Sequence, residues 1–163
     1  RALTGLGADL MTLHGSGGSA MLKAAAVAAA DEARRLSVIR PKLLAVTVLT
    51  SIDADEWKKL GHTNSISQSV LTMAGAAKAA GMDGTVSSPH EAAEIRRLTG
   101  PDFLIVTPGI RPSFAQSDDQ KRITTPKEAV QNGATHLVVG RPITKAADPQ
   151  EAARAIAEEI REV

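Results

Sequence analysis

Two stretches of similar design decide the fold of this chain: Phe103-Leu-Ile-Val-Thr-Pro-Gly-Ile-Arg-Pro112 and His136-Leu-Val-Val-Gly-Arg-Pro-Ile-Thr144. Each starts with a short apolar run and passes directly into a segment that contains glycine and arginine. Such a run is typical of a buried parallel strand that ends in a loop. Glycine lets a bound group approach the backbone, and arginine can hold an oxyanion through two N–H groups. The two stretches therefore predict an oxyanion pocket at the carboxyl ends of successive strands.

Further strand candidates precede this pair, and helical segments separate them. Strands are expected at about 8–13, 43–48, 84–87, 103–106 and 136–139, with helices at about 19–36, 52–57, 67–80, 88–98, 125–132 and from 148 onward. Strands that alternate with helices imply a parallel sheet. The expected fold class is thus α/β, with about five βα units that form a single domain over residues 1–163. In a (β/α)8 barrel, the loops after the last two strands usually bind phosphate.

Capping signals support three of the helix starts. The segments are Ser88-Pro-His-Glu91, Thr125-Pro-Lys-Glu128 and Asp148-Pro-Gln-Glu151. In each, the first side chain can accept a backbone N–H and proline fits the first helical position. The glutamate three residues after the cap completes a capping box. We therefore expect a helix to begin directly after Ser88, Thr125 and Asp148.

Composition excludes several classes of protein. The 19 Lys and Arg residues nearly balance the 18 Asp and Glu residues, and aromatic residues make up 2% of the chain. This composition argues against nucleic-acid binding, which favours a basic surface and stacking side chains. With no cysteine there is no thiolate metal site, the four histidines have no metal-ligand spacing, and no apolar run has the length of a membrane span. A cytoplasmic location is expected, without nucleic-acid or membrane partners.

Five motifs in order resemble those of the bacterial orotidine 5′-phosphate decarboxylases. They are Leu10-Met-Thr-Leu-His-Gly-Ser-Gly-Gly18, Ala45-Val-Thr-Val-Leu-Thr-Ser51, Val106-Thr-Pro-Gly-Ile-Arg-Pro112, Asp119-Gln-Lys-Arg122 and Val139-Gly-Arg-Pro-Ile-Thr144. The resemblance extends over nearly the whole chain. It implies the conversion of orotidine 5′-monophosphate to uridine 5′-monophosphate in pyrimidine biosynthesis. It also implies a homodimer and a reaction that needs neither a metal nor an organic cofactor.

The resemblance assigns substrate-binding roles to particular residues. Gly140 and Arg141 are expected to bind the 5′-phosphate, with Arg111 near it. Gln120 is expected on a lid over the phosphate, in a long loop between strand and helix, and Thr50 is expected to contact the pyrimidine edge. Each assignment has a structural alternative. Arg141 could be a solvated surface residue, and Arg111 could pair with Asp118 or Asp119 and only order the loop. Gln120 could be a loop residue without a binding role, and Thr50 could be a helix cap.

Other conspicuous residues receive structural interpretations. His14 is expected to make structural hydrogen bonds rather than to transfer a proton. The glycines at 15, 17 and 18 are expected to form a tight turn from strand to helix, because an isolated Gly-Ser-Gly-Gly is a weak phosphate signal. Trp57 is expected to be a packing residue.

The segment that performs the chemistry in this family has no counterpart in the sequence. That segment has the form Asp-x-Lys-x-x-Asp and carries the lysine that donates a proton to C6. Asp53-Ala-Asp55 lacks the lysine, so no catalytic residue is assigned in this chain. The resemblance therefore implies an incomplete (β/α)8 TIM barrel of about five βα units, the carboxyl-terminal five-eighths of the barrel. Such a chain is expected to be inactive alone.

Two alternative functions follow from that gap. The chain could be a non-catalytic module that binds a nucleotide phosphate, or a barrel fragment that a partner chain completes. A different phosphosugar enzyme, such as a relative of hexulose-phosphate synthase, is disfavoured by the Thr107–Pro112 and Asp119–Arg122 motifs.

Overall fold

The computed structural model describes residues 1–112 and 124–161. The strands are β1 (Leu10–His14), β2 (Lys42–Val46), β3 (Gly84–Val86), β4 (Leu104–Thr107) and β5 (His136–Leu137). The α-helices are α1 (Gly18–Leu36), α2 (Ala54–Lys59), α3 (Ile66–Ala79), α4 (Ala92–Thr99), α5 (Pro126–Gln131), α6 (Arg141–Thr144) and α7 (Pro149–Arg161). Short 3-10 segments cover Ala2–Leu6 and Gly15–Gly17.

The strands form one parallel sheet in the order of the chain, from β1 to β5. In register, Ala45 of β2 lies beside Thr85 of β3, and Thr85 lies beside Ile105 of β4. Sequential parallel strands with helical crossovers are what the sequence predicts, so the α/β architecture with five βα units is confirmed. No helix within the described ranges is long and apolar enough to cross a membrane.

One face of the sheet carries the main hydrophobic core. Leu43, Ala45 and Ile105 point to this face and belong to one cluster with residues of α1, α3 and α4. The small side chains at Ala29, Ala74 and Ala77 in that cluster let the helices lie close to the strands. The register places the alternate residues on the opposite face, and on β1 these are Leu10, Thr12 and His14, all exposed. The second face is therefore open where β1 ends the sheet.

Local signals explain most helix boundaries. Thr125 and Glu128 form the expected capping box, with hydrogen bonds of 3.3 and 3.1 Å between each side chain and the other residue's N–H. At α7, the side chain of Asp148 accepts the N–H groups of Gln150 and Glu151 at 3.0 Å, as predicted. An unpredicted capping box, formed by Ser65 and Gln68, begins α3.

The helix start predicted at Ser88 is wrong. The hydroxyl of Ser88 accepts the N–H of His90 at 3.3 Å, which closes a turn, and α4 begins only at Ala92. A serine hydroxyl can satisfy a backbone group two residues on instead of a helical one. Ser87 and Ser88 are buried at the end of β3, and a turn separates them from the first residue of α4, Ala92.

The last βα unit also differs from its prediction. β5 ends at Leu137 rather than at Val139, and the Gly-Arg-Pro-Ile-Thr segment forms the short helix α6 instead of an open loop. Proline is favoured in the first turn of a helix, and Pro142 supplies it here. Gly140 thus becomes the residue that caps α6.

The amino-terminal edge of the sheet is held together by charged side chains with several partners. Asp83 accepts the N–H of Leu43 at 2.9 Å and pairs with Arg40 at 2.7 Å and Lys42 at 3.3 Å. Burial opposes ionisation of Asp83, but the Leu43 N–H and the charges of Arg40 and Lys42 outweigh it, so the pKa of Asp83 is lowered. The ionised carboxylate of Asp83 thus links the start of β3 to the start of β2.

Arg96 completes the same edge between α4 and β4. Its Nη1 donates to the carbonyls of Gly100, Pro101 and Phe103 at 2.6 to 2.9 Å, and its Nη2 donates to Gly133 at 3.0 Å. One guanidinium thus binds the end of α4, the approach to β4 and the turn after α5.

Candidate functional site

The carboxyl-terminal edge of the sheet is the candidate site. All five strands are parallel, so the loops after His14, Val46, Val86, Thr107 and Leu137 leave from this edge. In open and closed α/β sheets, ligands bind at the carboxyl ends of the strands. Of the residues predicted to bind substrate, Thr50, Arg111, Gly140 and Arg141 follow strands at this edge.

Buried hydroxyl groups line the edge where β2, β3 and β4 end. Thr47 and Ser87 follow their strands directly and lie 3.1 Å apart through their side-chain oxygens. The Thr47 hydroxyl also contacts the Val86 carbonyl at 3.0 Å, and the Thr107 hydroxyl donates to His136 at 3.3 Å. The sequence analysis missed Thr47 and Ser87. The available signal was their shared position, one residue beyond an apolar run.

Arg111 is a buried cation four residues beyond the end of β4. Its exposed fraction is 8%, and its Nη1 donates to the carbonyl of Ile110 at 2.9 Å. Its Nε is buried and has no hydrogen-bond partner within residues 1–112 and 124–161. A buried charge that keeps a free donor is costly unless a partner of opposite charge completes it.

The backbone fixes Arg111 in place from both sides. Gly109 adopts a positive φ of 79°, and the next residue, Ile110, is fully buried. Ile110 pairs with Thr124 in a single parallel bridge, and the Arg111 N–H donates to the Thr124 carbonyl at 3.0 Å. The Pro-Gly-Ile-Arg motif therefore functions as a turn that places an arginine inside the edge.

Gly140 and Arg141 lie beyond β5, next to the loop that carries Arg111. The Gly140 carbonyl accepts the N–H groups of Ile143 and Thr144 at 2.9 and 3.0 Å, which starts α6. Gly140 has φ −104° and ψ −98°, outside the helical and extended regions. A Cβ built on Gly140 would meet no described atom within 4 Å, so open space lies beside this backbone. Arg141 is half-buried.

Thr50 lies in the turn after β2 and is 7% exposed. It is not the cap of α2, because the Asp53 side chain takes that role by accepting the Glu56 N–H at 2.9 Å. Neighbouring strands lie about 4.8 Å apart, so the ends of β2 and β4 are separated by roughly 10 Å. Thr50 is therefore on the same edge as Arg111 but on the far side of β3.

The remaining candidates have different outcomes. The glycines after β1 form the predicted tight turn, as a 3-10 segment followed by Gly18 at φ 84°. His14 is exposed, and the described residues give its side chain no hydrogen bond, so its predicted structural bonding is not observed there. Gln120 lies outside the described residues. Within those residues, no group of three His, Asp or Glu side chains could hold a metal ion.

Comparison with known proteins identifies the family of the chain. A model of the orotidine 5′-phosphate decarboxylase / HUMPS family matches residues 1–156. The chain belongs to this family. Among curated members, the orotidine 5′-phosphate decarboxylase of Moorella thermoacetica is 49% identical over 161 residues, and that of Trichlorobacter lovleyi is 53% identical over 155 residues. These alignments cover 98% and 95% of this chain but 64% of each relative. The chain thus spans about two thirds of the length of the family members it matches.

Solved structures of the family share the fold. The crystal structure of orotidine 5′-phosphate decarboxylase from Lactobacillus acidophilus matches with a TM-score of 0.80 and 40% identity, covering 98% of this chain and 66% of that one. The enzyme from Pyrococcus horikoshii matches with a TM-score of 0.66 and 26% identity. The five βα units are accordingly a partial match to the TIM barrels of this family.

Proposed function

We propose that this chain is the phosphate- and pyrimidine-binding part of an orotidine 5′-phosphate decarboxylase. In the reaction, the bond from C6 to the carboxylate breaks and CO2 leaves. The electron pair remains on C6, which then takes a proton. Family membership supports the substrate class, and the buried Arg111 at the carboxyl edge is the observation that carries the binding role.

The phosphate end of the substrate is assigned to the loops after β4 and β5. Arg111 keeps a buried Nε–H donor toward the edge, and open space lies beside Gly140 on the neighbouring loop. A phosphate supplies the negative charge and the acceptor oxygens that such an arrangement lacks. Arg141, on α6, adds a second guanidinium, and Gln120 is proposed to close over the ligand.

The pyrimidine end is assigned to Thr50. A hydroxyl beyond the end of a central strand can donate to and accept from the edge of a base. Its place on the far side of β3 from Arg111 leaves roughly 10 Å for the sugar and the base between the two binding groups. Binding energy from the remote phosphate can then be used to assemble the site around the reacting carbon.

The proton-donating lysine and its aspartates are proposed to lie in a further part of the protein, because no Asp-x-Lys-x-x-Asp segment occurs in this sequence. The open face of the sheet at β1 supports a chain that is the carboxyl-terminal part of a barrel. Five strands cannot close an eight-stranded barrel. We propose that further βα units, or a second copy of the chain in a homodimer, complete the barrel and the site.

Turnover assays test the proposal directly. The loss of orotidylate absorbance is followed with this chain and with the protein encoded by the complete reading frame. We expect turnover by the complete protein and none by the chain alone. If the complete protein binds uridine 5′-monophosphate without turning over orotidylate, the chain is part of a non-catalytic binding module. Absence of both binding and turnover would refute the proposed function.

Size-exclusion chromatography with hydrogen exchange tests the incomplete barrel. We expect the isolated chain to be poorly protected at β1, or to elute as an oligomer that covers this strand. A compact and well-protected monomer of this length would contradict the assignment.

A further inference from the structure

The segment between β2 and α3 folds around the chain's single tryptophan. Trp57 is on α2 and is 6% exposed. Its N–H donates to the Asp53 carbonyl at 2.9 Å, and its indole Nε1 donates to the Asn64 carbonyl at 3.0 Å. The backbone N–H and the indole N–H of this buried residue are therefore both satisfied within its own segment.

The ring of His62 covers the indole. The two ring centroids lie 3.5 Å apart with an angle of 9° between the planes, so the rings are stacked. His62 itself is exposed, and its N–H approaches the Trp57 carbonyl at 3.4 Å. The stack joins the exposed turn after α2 to a buried side chain.

The residues that flank Thr50 belong to the same hydrophobic core as the indole. Trp57 belongs to the main core cluster together with Val48, and Ile52 packs against that cluster. The Ile52 N–H donates to the Leu49 carbonyl at 3.1 Å and closes the turn around Thr50. Thr50 is therefore held between Val48 on its amino-terminal side and the contact of Ile52 with the Trp57 cluster on the other.

We infer that Trp57 and His62 are a pair of positioning residues that set the place of Thr50 and hence the affinity of the site for a pyrimidine nucleotide. The inference rests on the proposed function. Neither ring is required to touch the substrate. Their effect is to keep the Leu49–Ile52 turn in one place, and a turn that is already ordered loses less conformational entropy when the ligand binds.

A matched pair of core substitutions separates positioning from simple stability. Trp57→Leu removes the stack and the Nε1 donor. Phe103→Leu shortens another aromatic residue of the same cluster, also 6% exposed, at the amino-terminal edge. In the complete protein, we expect Trp57→Leu to raise KM for orotidylate about 10-fold with little change in kcat. Phe103→Leu is expected to lower the melting temperature while leaving KM unchanged.

Substitution of the exposed ring provides a second test that does not depend on core folding. His62→Ala removes the stacked surface, whereas His62→Tyr keeps a flat ring over the indole. We expect a raised KM in His62→Ala and a KM near that of the parent in His62→Tyr. The change in tryptophan emission on adding uridine 5′-monophosphate to the parent should be lost in Trp57→Leu, which would assign that signal to Trp57.

The outcomes distinguish this inference from the proposed function. An active parent whose KM is unchanged by both Trp57→Leu and His62→Ala would overturn the positioning role alone. Equal KM increases in Trp57→Leu and Phe103→Leu would also overturn it, because a general loss of packing would then explain the result. A complete protein with neither turnover nor nucleotide binding would overturn the proposed function, and the inference with it.

Discussion

The amino-terminal edge of the sheet pairs its charges within the protein, whereas at the carboxyl-terminal edge the described residues leave one buried donor, Arg111 Nε, without a partner. At the first edge, Asp83 meets two cations and a backbone N–H, and Arg96 donates to four carbonyls. At the second edge, Arg111 is more deeply buried than Asp83 or Arg96, yet its Nε has no partner in the described ranges. Arginine is used structurally at one end of the strands, and we propose that it binds the ligand at the other.

The two edges show that stabilising contacts and ligand-binding groups can lie at opposite ends of the same strands. Residues at the starts of strands can satisfy one another permanently, because nothing has to enter there. A group at the end of a strand that binds a ligand must keep a donor or acceptor unpaired until the ligand arrives. That unpaired group lowers the free energy of unfolding. Substitutions at the two edges should therefore have opposite effects on folding and on binding.

The largest expected effect is on binding at the carboxyl edge. Arg141→Ala in the complete protein should reduce kcat/KM for orotidylate on the order of 100-fold, because it would remove the proposed charge-assisted contact to the phosphate. Steady-state kinetics measures this. Arg154→Ala, an exposed arginine on α7, is the matched control and should retain parental kinetics. An Arg141→Ala enzyme with parental kcat/KM would remove Arg141 from the site.

The next effect is on stability at the amino edge. Arg96→Ala should lower the free energy of unfolding by about 2 kcal/mol, because four carbonyls, three of them in part-buried hydrogen bonds, lose their donor. Chemical denaturation of the complete protein measures this, with the exposed neighbour Arg97→Ala as control. Nucleotide affinity should be unchanged while the variant is folded. Loss of affinity without loss of stability would show that the two edges are not separate.

The residues of the carboxyl-terminal edge could be predicted from the sequence, because they occur at regular positions after apolar runs. The apolar runs at 103–106 and 136–139 gave the strands, and the glycine–arginine segments after them gave Arg111, Gly140 and Arg141 as candidates. The capping box at Thr125 was visible as a spacing of residue types. These features depend on neighbours in the chain.

Features that depend on distant contacts could not be predicted in this way. The four carbonyls bound by Arg96 lie as far as Gly133, and the Thr47–Ser87 contact joins residues 40 positions apart. The helix start at Ser88 was predicted wrongly because burial of two serines at a strand end outweighed a local capping pattern. Trp57 was predicted to be a packing residue and is buried, but its stack on His62 depends on how the turn at Gly61 places that ring over the indole, which residue spacing does not reveal.

A smaller effect tests the cost of the buried cation. Arg111→Met should raise the free energy of unfolding of the ligand-free protein by about 1 kcal/mol, since an apolar side chain replaces an incompletely paired charge. The same variant should bind uridine 5′-monophosphate more weakly. Thermal unfolding with and without the nucleotide measures both. A destabilised Arg111→Met would mean that the guanidinium is already satisfied within the protein.

The smallest effect concerns pH at the amino edge. The pKa of Asp83 is lowered in the folded protein, so its stabilising contribution is complete above pH about 4, where aspartate in an unfolded chain is already ionised, and is lost as the pH falls through the folded pKa. Asp83→Asn should lower stability by less than about 1 kcal/mol at pH 7 and flatten the decline in acid. Denaturation curves from pH 7 to 3 measure this, with the exposed Asp102→Asn as control. An unchanged acid profile in Asp83→Asn would contradict the ion-pair assignment.

The most direct test of the account is calorimetric titration of the complete protein with uridine 5′-monophosphate and with uridine. Because the loops after β4 and β5 are assigned to the phosphate, the nucleotide should bind on the order of 100-fold more tightly than the nucleoside. That difference should disappear in the double variant Arg111→Met, Arg141→Ala. Equal affinities in the parent, or a difference that survives in the double variant, would contradict the assignment of the carboxyl-terminal edge as a phosphate site.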